Sequence, residues 1–224
     1  MGTTVEANNI NIWYEEFGDK GNETILLIMG ANANCMQWDQ EFIDRLVANN
    51  FHVVRFDNRD VGKSTWFGKE PTLNKFLKLL PNFLLKIIVN SIFGLAVDDK
   101  GRFKFNNNPN PEYNLSDMAQ DAVALLEVLN IKKAHIIGAS MGGMITQILA
   151  LDHPEKVLTI TPIMTSPGMQ NDSLSGPTEE LLEAYKKSFV HNVRGRIEDG
   201  VVEIYRQLTG SRFPFDEQKF RDKL

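Results

Sequence analysis

Cysteine is nearly absent from the sequence, since the 224 residues contain only Cys35. A single thiol excludes an internal disulfide framework and a zinc site built from cysteines. A basic surplus is also missing: 24 lysines and arginines stand against 29 aspartates and glutamates, for a net charge of −5. Without a basic cluster, nucleic acid and an anionic membrane surface are disfavoured as main partners. No group of residues has the spacing of metal ligands, so we predict neither a metal nor a cofactor.

Two further absences concern export and membranes. Residues 1–9 lack the basic start and apolar stretch of a signal peptide, and Glu6 stands where a myristoylation motif needs Ser or Thr. The apolar stretch 79–97 has eleven consecutive uncharged residues at most, 87–97, whereas a membrane-spanning helix needs about 20. We therefore expect a cytoplasmic protein with no transmembrane segment.

What the sequence does contain is an alternation of strand and helix patterns. Strands are predicted at 3–8, 10–17, 24–28, 51–56, 134–138 and 157–164. The pair Asn8-Asn9 predicts a hairpin turn between the first two strands. The third, 24–28, is a continuous apolar run, which is typical of a strand buried on both faces of a parallel sheet, and 51–56 (FHVVRF) is predicted as the next buried strand.

Helix patterns lie between these strands. One helix face is traced by Met118, Ala122, Leu125, Leu126 and Leu129. Asn114 or Ser116 is available as the N-cap of this helix, and a second helix is predicted over 141–151. The alternation indicates an α/β fold with a mostly parallel sheet, helices on both faces, and a site at the carboxyl ends of the strands.

The alternation is interrupted twice, which suggests a division of the chain. We predict a core made of residues 1–65 and 114–165. The insertion 66–113, with its prolines and apolar stretch, predicts a lid over a pocket or a surface-seeking helix pair. Residues 166–224 are helical and polar in pattern and predict a cap segment.

The segment Gly138-Ala-Ser140-Met-Gly142 lies between a buried strand and a helix. A nucleophile elbow requires this context, because the strand must stop abruptly and a strained residue must expose its side chain before the helix. Glycines two residues on either side of Ser140 are expected where a Cβ would collide in so tight a turn. The alternative is a glycine-rich turn with an idle serine.

With two other segments, this elbow resembles the α/β-hydrolase fold family, in particular its serine esterases of the aclacinomycin-methylesterase type. The other segments are 26–32 (LLIMGAN) and 55–64 (RFDNRDVGKS). The resemblance implies that Ser140 attacks an ester carbonyl and forms an acyl-enzyme. It also implies that the backbone N–H groups of Ala31 and Met141 form the oxyanion hole.

The chain departs from the family pattern at two positions. Met29 replaces the histidine of the usual His-Gly pair that precedes the first oxyanion donor. Asp60 replaces the first glycine of the family's Asp-x-Arg-Gly-x-Gly-x-Ser turn, which we interpret as structural. A serine in the elbow also separates the chain from epoxide hydrolases and haloalkane dehalogenases, which use aspartate there.

A catalytic base is the missing part of this machinery. In the family, the acid and then the histidine usually follow the serine by well over 80 residues, and here 84 residues follow Ser140. His52 and His135 fall in strands. His153 is at the far end of the helix after Ser140, roughly 18 Å away at about 1.5 Å per residue, and His191 is in a polar helix. Asp172 stands in a region where some members carry their acid, although a loop aspartate is the default.

We therefore expect that the acid, the base and the last strands of the sheet are not in this chain. It is then a partial hydrolase or a shortened, inactive relative, and we favour the first. The expected substrate is a small apolar ester, of methyl ester or lactone type, and the rival is a non-catalytic scaffold or ligand-binding protein. Methionines that suit an apolar substrate, or simply pack in the core, are Met29, Met36, Met141, Met144 and Met164.

Overall fold

The computed structural model describes residues 2–68, 77–98, 111–167, 176–212 and 214–222. The chain forms two compact units. The first contains residues 1–69 and 110–171, and the second contains residues 70–109 and 172–224. The boundaries that we predicted for core, insertion and cap remain predictions.

The first unit is built on a six-stranded sheet with the order β1-β2-β4-β3-β5-β6. Its strands are β1 Thr3–Ala7, β2 Ile10–Phe17, β3 Thr24–Ile28, β4 His52–Phe56, β5 Ala134–Ala139 and β6 Val157–Ile163. Strands β1 and β2 form the antiparallel hairpin. Both turn residues, Asn8 and Asn9, have positive φ, at 50° and 59°, as a tight hairpin turn requires.

The remaining strands of the sheet pair in parallel, except that β2 meets β4 antiparallel. Every residue of β3 and β4 is buried, which confirms the prediction that both are buried strands. Strand β6 is exposed along most of its length. In the part of the chain that the structure describes, β6 pairs only with β5 and so forms one edge of the sheet.

Helices are present where the sequence predicted them, over the face 118–129 and over 141–151, and in further segments. They are α1 Gln40–Ala48, α2 Asn82–Ala96, α3 Leu115–Val128, α4 Met141–Asp152, α5 Glu179–Val193, α6 Ile197–Leu208 and α7 Glu217–Arg221. Single 3-10 turns lie at Cys35–Gln37 and Pro154–Lys156. Of the two N-cap candidates for α3, Asn114 is the cap, and it forms a reciprocal capping box with Asp117.

The sheet of the first unit is covered on both faces, as predicted. Alternate residues of β3 divide between the two sides, with Leu26 and Ile28 packed beneath α3 and α4, and Ile25 and Leu27 beneath α1. Side chains that alternate across a strand give two separate apolar layers. The carboxyl ends of the parallel strands therefore remain as the open edge where loops can carry functional groups.

The second unit contains α2 and the helices α5 to α7. Its small core includes Leu85 and Val89 of α2 and Val193 of α5. On the other side of α2, Phe83 and Ile87 are exposed. In the described parts of the chain no helix combines the length and apolarity needed to cross a membrane.

A buried ion pair joins three segments of the first unit. Arg59 donates from Nε and Nη2 to the two carboxylate oxygens of Asp121 at 2.7 and 2.6 Å, and Asn8 donates to the same carboxylate at 2.7 Å. The guanidinium also lies over the rings of Tyr113 and Phe67. The hairpin turn, the segment after β4 and helix α3 are thereby held to one another.

Replacing Asp121 with Ala is expected to lower the free energy of unfolding by about 3 kcal/mol or more, because it leaves a buried guanidinium unpaired. The exposed pair of Arg45 and Glu41 on α1 supplies a control, since Glu41→Ala is expected to cost less than about 1 kcal/mol. Urea unfolding of both variants measures the difference. Equal losses would show that the buried pair is not a support of the fold.

Candidate active site

Ser140 lies at the sharp turn between β5 and α4. Its φ is 54° and its ψ is −120°, a conformation that costs a non-glycine residue about 1–3 kcal/mol. A hydrogen bond to the neighbouring strand fixes this turn, since the Ser140 N–H donates to the Ile163 carbonyl of β6 at 2.9 Å. The residue itself is exposed at the carboxyl edge of the sheet.

Two glycines allow this turn to form. A Cβ on Gly138 would lie 2.2 Å from the Gly142 carbonyl oxygen, and a Cβ on Gly142 would lie 2.2 Å from the Ile28 carbonyl oxygen. Both contacts are with backbone atoms, which cannot rotate away as the end of a flexible side chain can. The first turn of α4 is therefore pressed directly against β5 and β3.

The loop after β3 reaches the same point. A Cβ on Gly30 would lie 3.0 Å from Ser140 Cβ and 3.5 Å from Ser140 Oγ, so this loop approaches the serine closely at Gly30. The Gly30 carbonyl accepts the Ala33 N–H at 3.3 Å, and Asn32 between them has a φ of 58°. Ala31 is exposed.

The start of α4 offers further N–H groups. The Ser140 carbonyl accepts the N–H groups of Gly143 and Met144 at 2.9 and 3.3 Å. The N–H of Met141, at the first helical position, has no acceptor within its own helix. Ala31 and Met141, our candidate oxyanion donors, thus lie in the two segments that meet at Ser140, and their role remains a prediction.

The turn after β4 holds the loop after β3 at two points. Asp57 accepts the Cys35 N–H through Oδ1 at 2.8 Å and the Lys63 N–H through Oδ2 at 3.0 Å. The neighbouring residue, Asn58, donates from Nδ2 to the Met29 carbonyl at 2.9 Å. The sequence analysis did not single out Asn58, because a bond to a backbone carbonyl 29 residues away leaves no local pattern.

Asp60, which replaces a family glycine, has the positive φ of 59° that a glycine would favour. Its carboxylate accepts the N–H groups of Phe67 and Gly68 at 2.6 and 3.0 Å and the Tyr113 hydroxyl at 2.6 Å. Burial raises the pKa of this carboxyl, but the three hydrogen bonds outweigh burial and leave the pKa below its ordinary value. Burial and the bond to Asp60 raise the pKa of Tyr113 to about 12.

The part of the chain that contains this strand, serine and helix is matched by a family model. A model of the alpha/beta hydrolase fold matches residues 23–203. The chain belongs to the alpha/beta hydrolase fold family. The resemblance drawn from the three motif segments is confirmed.

Two proteins with similar sequences are methylesterases by name. Rhodomycin D methylesterase DauP from a Streptomyces species is 28% identical over 97% of this chain and 65% of its own length. Rhodomycin D methylesterase DnrP from Streptomyces peucetius is 28% identical over 99% of this chain and 67% of its own length. The chain thus spans about two thirds of the length of the curated relatives it matches.

A solved hydrolase structure shows the same fold. It comes from work on carboxylesterases of the thaumarchaeon Nitrososphaera gargenis, with a TM-score of 0.61 and 22% identity. The similarity covers 100% of this chain and 64% of that one. At this level of identity the comparison concerns the fold and not the reaction.

The histidines of this hydrolase unit are engaged elsewhere. His52 is buried at the first residue of β4, with Nδ1 3.0 Å from Thr24 Oγ1 and Nε2 3.3 Å from Glu16 Oε1. His135 Nδ1 lies 2.8 Å from Thr159 Oγ1 near the same end of the sheet. His153 is the C-cap residue of α4, at the opposite end of that helix from Ser140.

Of the remaining candidates for a catalytic role, His191 and Cys35 are described by the structure and Asp172 is not. His191 Nδ1 lies 3.8 Å from Asp199 Oδ2 within the second unit, and Asp172 lies outside the described residues. Cys35 is buried, and burial and the neighbouring Asp57 raise the pKa of its thiol, as expected for an inert cysteine. The described residues contain no cluster of three or more side chains suited to a metal ion.

Replacing Gly142 with Ala is expected to cost about 3 kcal/mol or more, because the new Cβ overlaps a backbone carbonyl. Gly94 in α2 is the control, since a Cβ there meets nothing within 4 Å. Gly94→Ala is expected to stabilise by up to about 1 kcal/mol through helix propensity. Thermal and urea unfolding test both, and a neutral Gly142→Ala would contradict the close contact.

The stability of the chain is expected to fall as the pH drops below about 6.5, in part because of His52. Burial lowers the pKa of His52 in the folded state, so the unfolded state binds the proton more readily and gains population in acid. The contribution is fully present above the unfolded pKa. His52→Gln, which does not titrate, should show a smaller loss of unfolding free energy between pH 7 and pH 5. Identical slopes for variant and wild type would contradict the assignment.

Proposed function

We propose that this chain carries the nucleophile and the oxyanion hole of a serine hydrolase that cleaves a small apolar carboxylic ester. The observation that carries the proposal is the backbone of Ser140, held at positive φ on an exposed turn where β5 meets α4 and Gly30 approaches. A strained conformation persists only where the surrounding structure enforces it, and such sites are characteristic of function. An idle serine would need no such support.

The chemistry follows from this geometry. Ser140 Oγ attacks the ester carbonyl carbon, its proton passes to a base, and the carbonyl oxygen becomes an oxyanion that accepts the N–H groups of Ala31 and Met141. The bond from carbon to the alkoxy oxygen then breaks, and the leaving alcohol takes the proton. Water repeats the sequence on the acyl-enzyme, which releases the carboxylic acid and restores the serine.

The substrate class rests on two supports. The relatives at 28% identity are named as methylesterases of rhodomycin D, so we propose a methyl ester, or a lactone, of an apolar molecule. Met36 and Met164 are 52% and 73% exposed, and flexible thioether side chains suit an apolar acyl group. We propose no cofactor for this reaction and retain a cytoplasmic location as part of the proposal.

We further propose that the 224-residue chain by itself turns over esters slowly or not at all, for want of a base. His52 and His135 bind partners at the amino ends of their strands, and His153 is separated from Ser140 by the length of α4. A positioned general base contributes about 10²–10⁴-fold to such a reaction. The expected deficit is therefore large enough to measure.

The experiment supplies the missing base from solution. Labelling of Ser140 by a fluorophosphonate, followed by intact mass, and hydrolysis of p-nitrophenyl butyrate are measured with and without imidazole, and Ser140→Ala gives the background to subtract. We expect slow labelling that imidazole accelerates about tenfold or more, with no labelling of Ser140→Ala.

Other outcomes discriminate between the parts of the proposal. Rapid turnover without imidazole, abolished in Ser140→Ala, would show that the chain does contain a base. Absence of labelling even with imidazole would show that Ser140 is not a nucleophile. The chain would then be the non-catalytic scaffold or ligand-binding protein that is the rival interpretation.

A further inference from the structure

The carbonyl of Met29 occupies an unusual position in the first unit. Strand β3 and its pairing with both β4 and β5 end at Ile28, so the next carbonyl lies one residue beyond the ladder. Met29 is 8% exposed, and an unpaired buried carbonyl is costly because it has lost its hydrogen bonds to water. The Asn58 amide, itself 3% exposed, supplies the bond at 2.9 Å.

The same carbonyl is close to the elbow. A Cβ on Gly142 would lie 2.8 Å from the Met29 oxygen, so this oxygen is held between the first turn of α4 on one side and the Asn58 amide on the other. A planar trans peptide fixes the N–H of the following residue once its carbonyl is fixed. The Asn58 bond therefore orients the peptide that leads into Gly30, where a Cβ would lie 3.0 Å from Ser140 Cβ.

The next peptide of the loop is held by a hydrogen bond of its own. The Gly30 carbonyl accepts the Ala33 N–H, so the plane of the Gly30–Ala31 peptide is fixed as well. In a trans peptide the N–H points opposite to the carbonyl, and the Ala31 N–H is therefore directed away from Ala33. Asn58 is the side chain at the start of this sequence of fixed peptides.

We propose that Asn58 is a positioning residue for the oxyanion hole, acting through the Met29 carbonyl on the direction of the Ala31 N–H. This inference rests on the proposed function, and it assigns a role to the variable position of the Asp-x-Arg turn. Its neighbour Asp57 holds the far end of the same loop through the Cys35 N–H. Asp57 also supports its own turn through the Lys63 N–H, whereas the bond from Asn58 to the loop can be removed separately.

The experiment compares two variants that each lose one buried hydrogen bond at opposite ends of β3. Asn58→Leu keeps the approximate shape of the side chain and removes the donor. Thr24→Val removes the bond between Thr24 and His52 at the amino end of the strand. If Asn58→Leu fails to fold, Asn58→Asp takes its place, since it also lacks the donor and is closer in shape to Asn.

Two readouts are taken at a temperature well below unfolding. The first is amide exchange by NMR at Ala33, with the Cys35 amide as an internal reference because Asp57 still holds it. The second is the rate of Ser140 phosphonylation in imidazole. We expect the Asn58 variant to exchange the Ala33 amide about tenfold faster and to label about tenfold more slowly, with Thr24→Val close to wild type in both.

The outcomes separate this inference from the proposed function. Wild-type rates in the Asn58 variant, or an equal loss of labelling in Thr24→Val, would overturn the positioning role and leave the proposed function intact. If wild type itself is not labelled, the proposed function fails. In that case the exchange rate of the Ala33 amide alone tests whether Asn58 orders the loop. An unchanged exchange rate in the Asn58 variant would overturn the positioning role as well.

Discussion

The first unit depends on one close approach between two backbones, that of α4 at Gly142 and that of β3 at Ile28 and Met29. A Cβ on Gly142 would stand 2.2 Å from the Ile28 oxygen, so no other residue type fits without moving the helix or the strand. Because the helix starts this close, the chain must turn sharply after Ala139. The positive φ of Ser140 is the geometric consequence of that contact.

The same contact explains why the turn after β4 matters to a serine in a different part of the chain. Once the helix lies against β3, the loop that leaves β3 has little space, and its buried polar groups need partners. Asp57 and Asn58 provide them, one residue after the other, at opposite ends of the loop. The turn after β4 therefore fixes both ends of the loop that approaches Ser140 at Gly30.

Much of this fold could be predicted from sequence, because its signals are local. The continuous apolar run of β3, the Asn8-Asn9 turn and the glycines around Ser140 each reflect a requirement that neighbouring residues satisfy. The elbow motif likewise carries its own context of strand, turn and helix. In each case the residues that impose a structural requirement and the residues that satisfy it lie in the same stretch of chain.

The parts that could not be predicted involve bonds between distant residues. Asn58 and Asp121 bind partners 29 and 62 residues away. Neither their spacing nor their residue type predicts those partners. Asp60 was recognised as a departure from the family turn, but not as an acceptor for three groups. For the segment 66–113, the prolines and the apolar stretch allowed either a lid over a pocket or a surface-seeking helix pair and could not decide between them.

Asp60 holds together the two ends of the segment between Gly68 and Tyr113. Phe67 and Gly68 on one side and Tyr113 on the other bind the same carboxylate, so the 44 residues between Gly68 and Tyr113 begin and end at one place. The entropic free-energy cost of closing a loop rises only with the logarithm of its length, by about 0.6 kcal/mol for each doubling. A change in the length of this segment therefore alters the cost of bringing its two ends together at Asp60 only slightly.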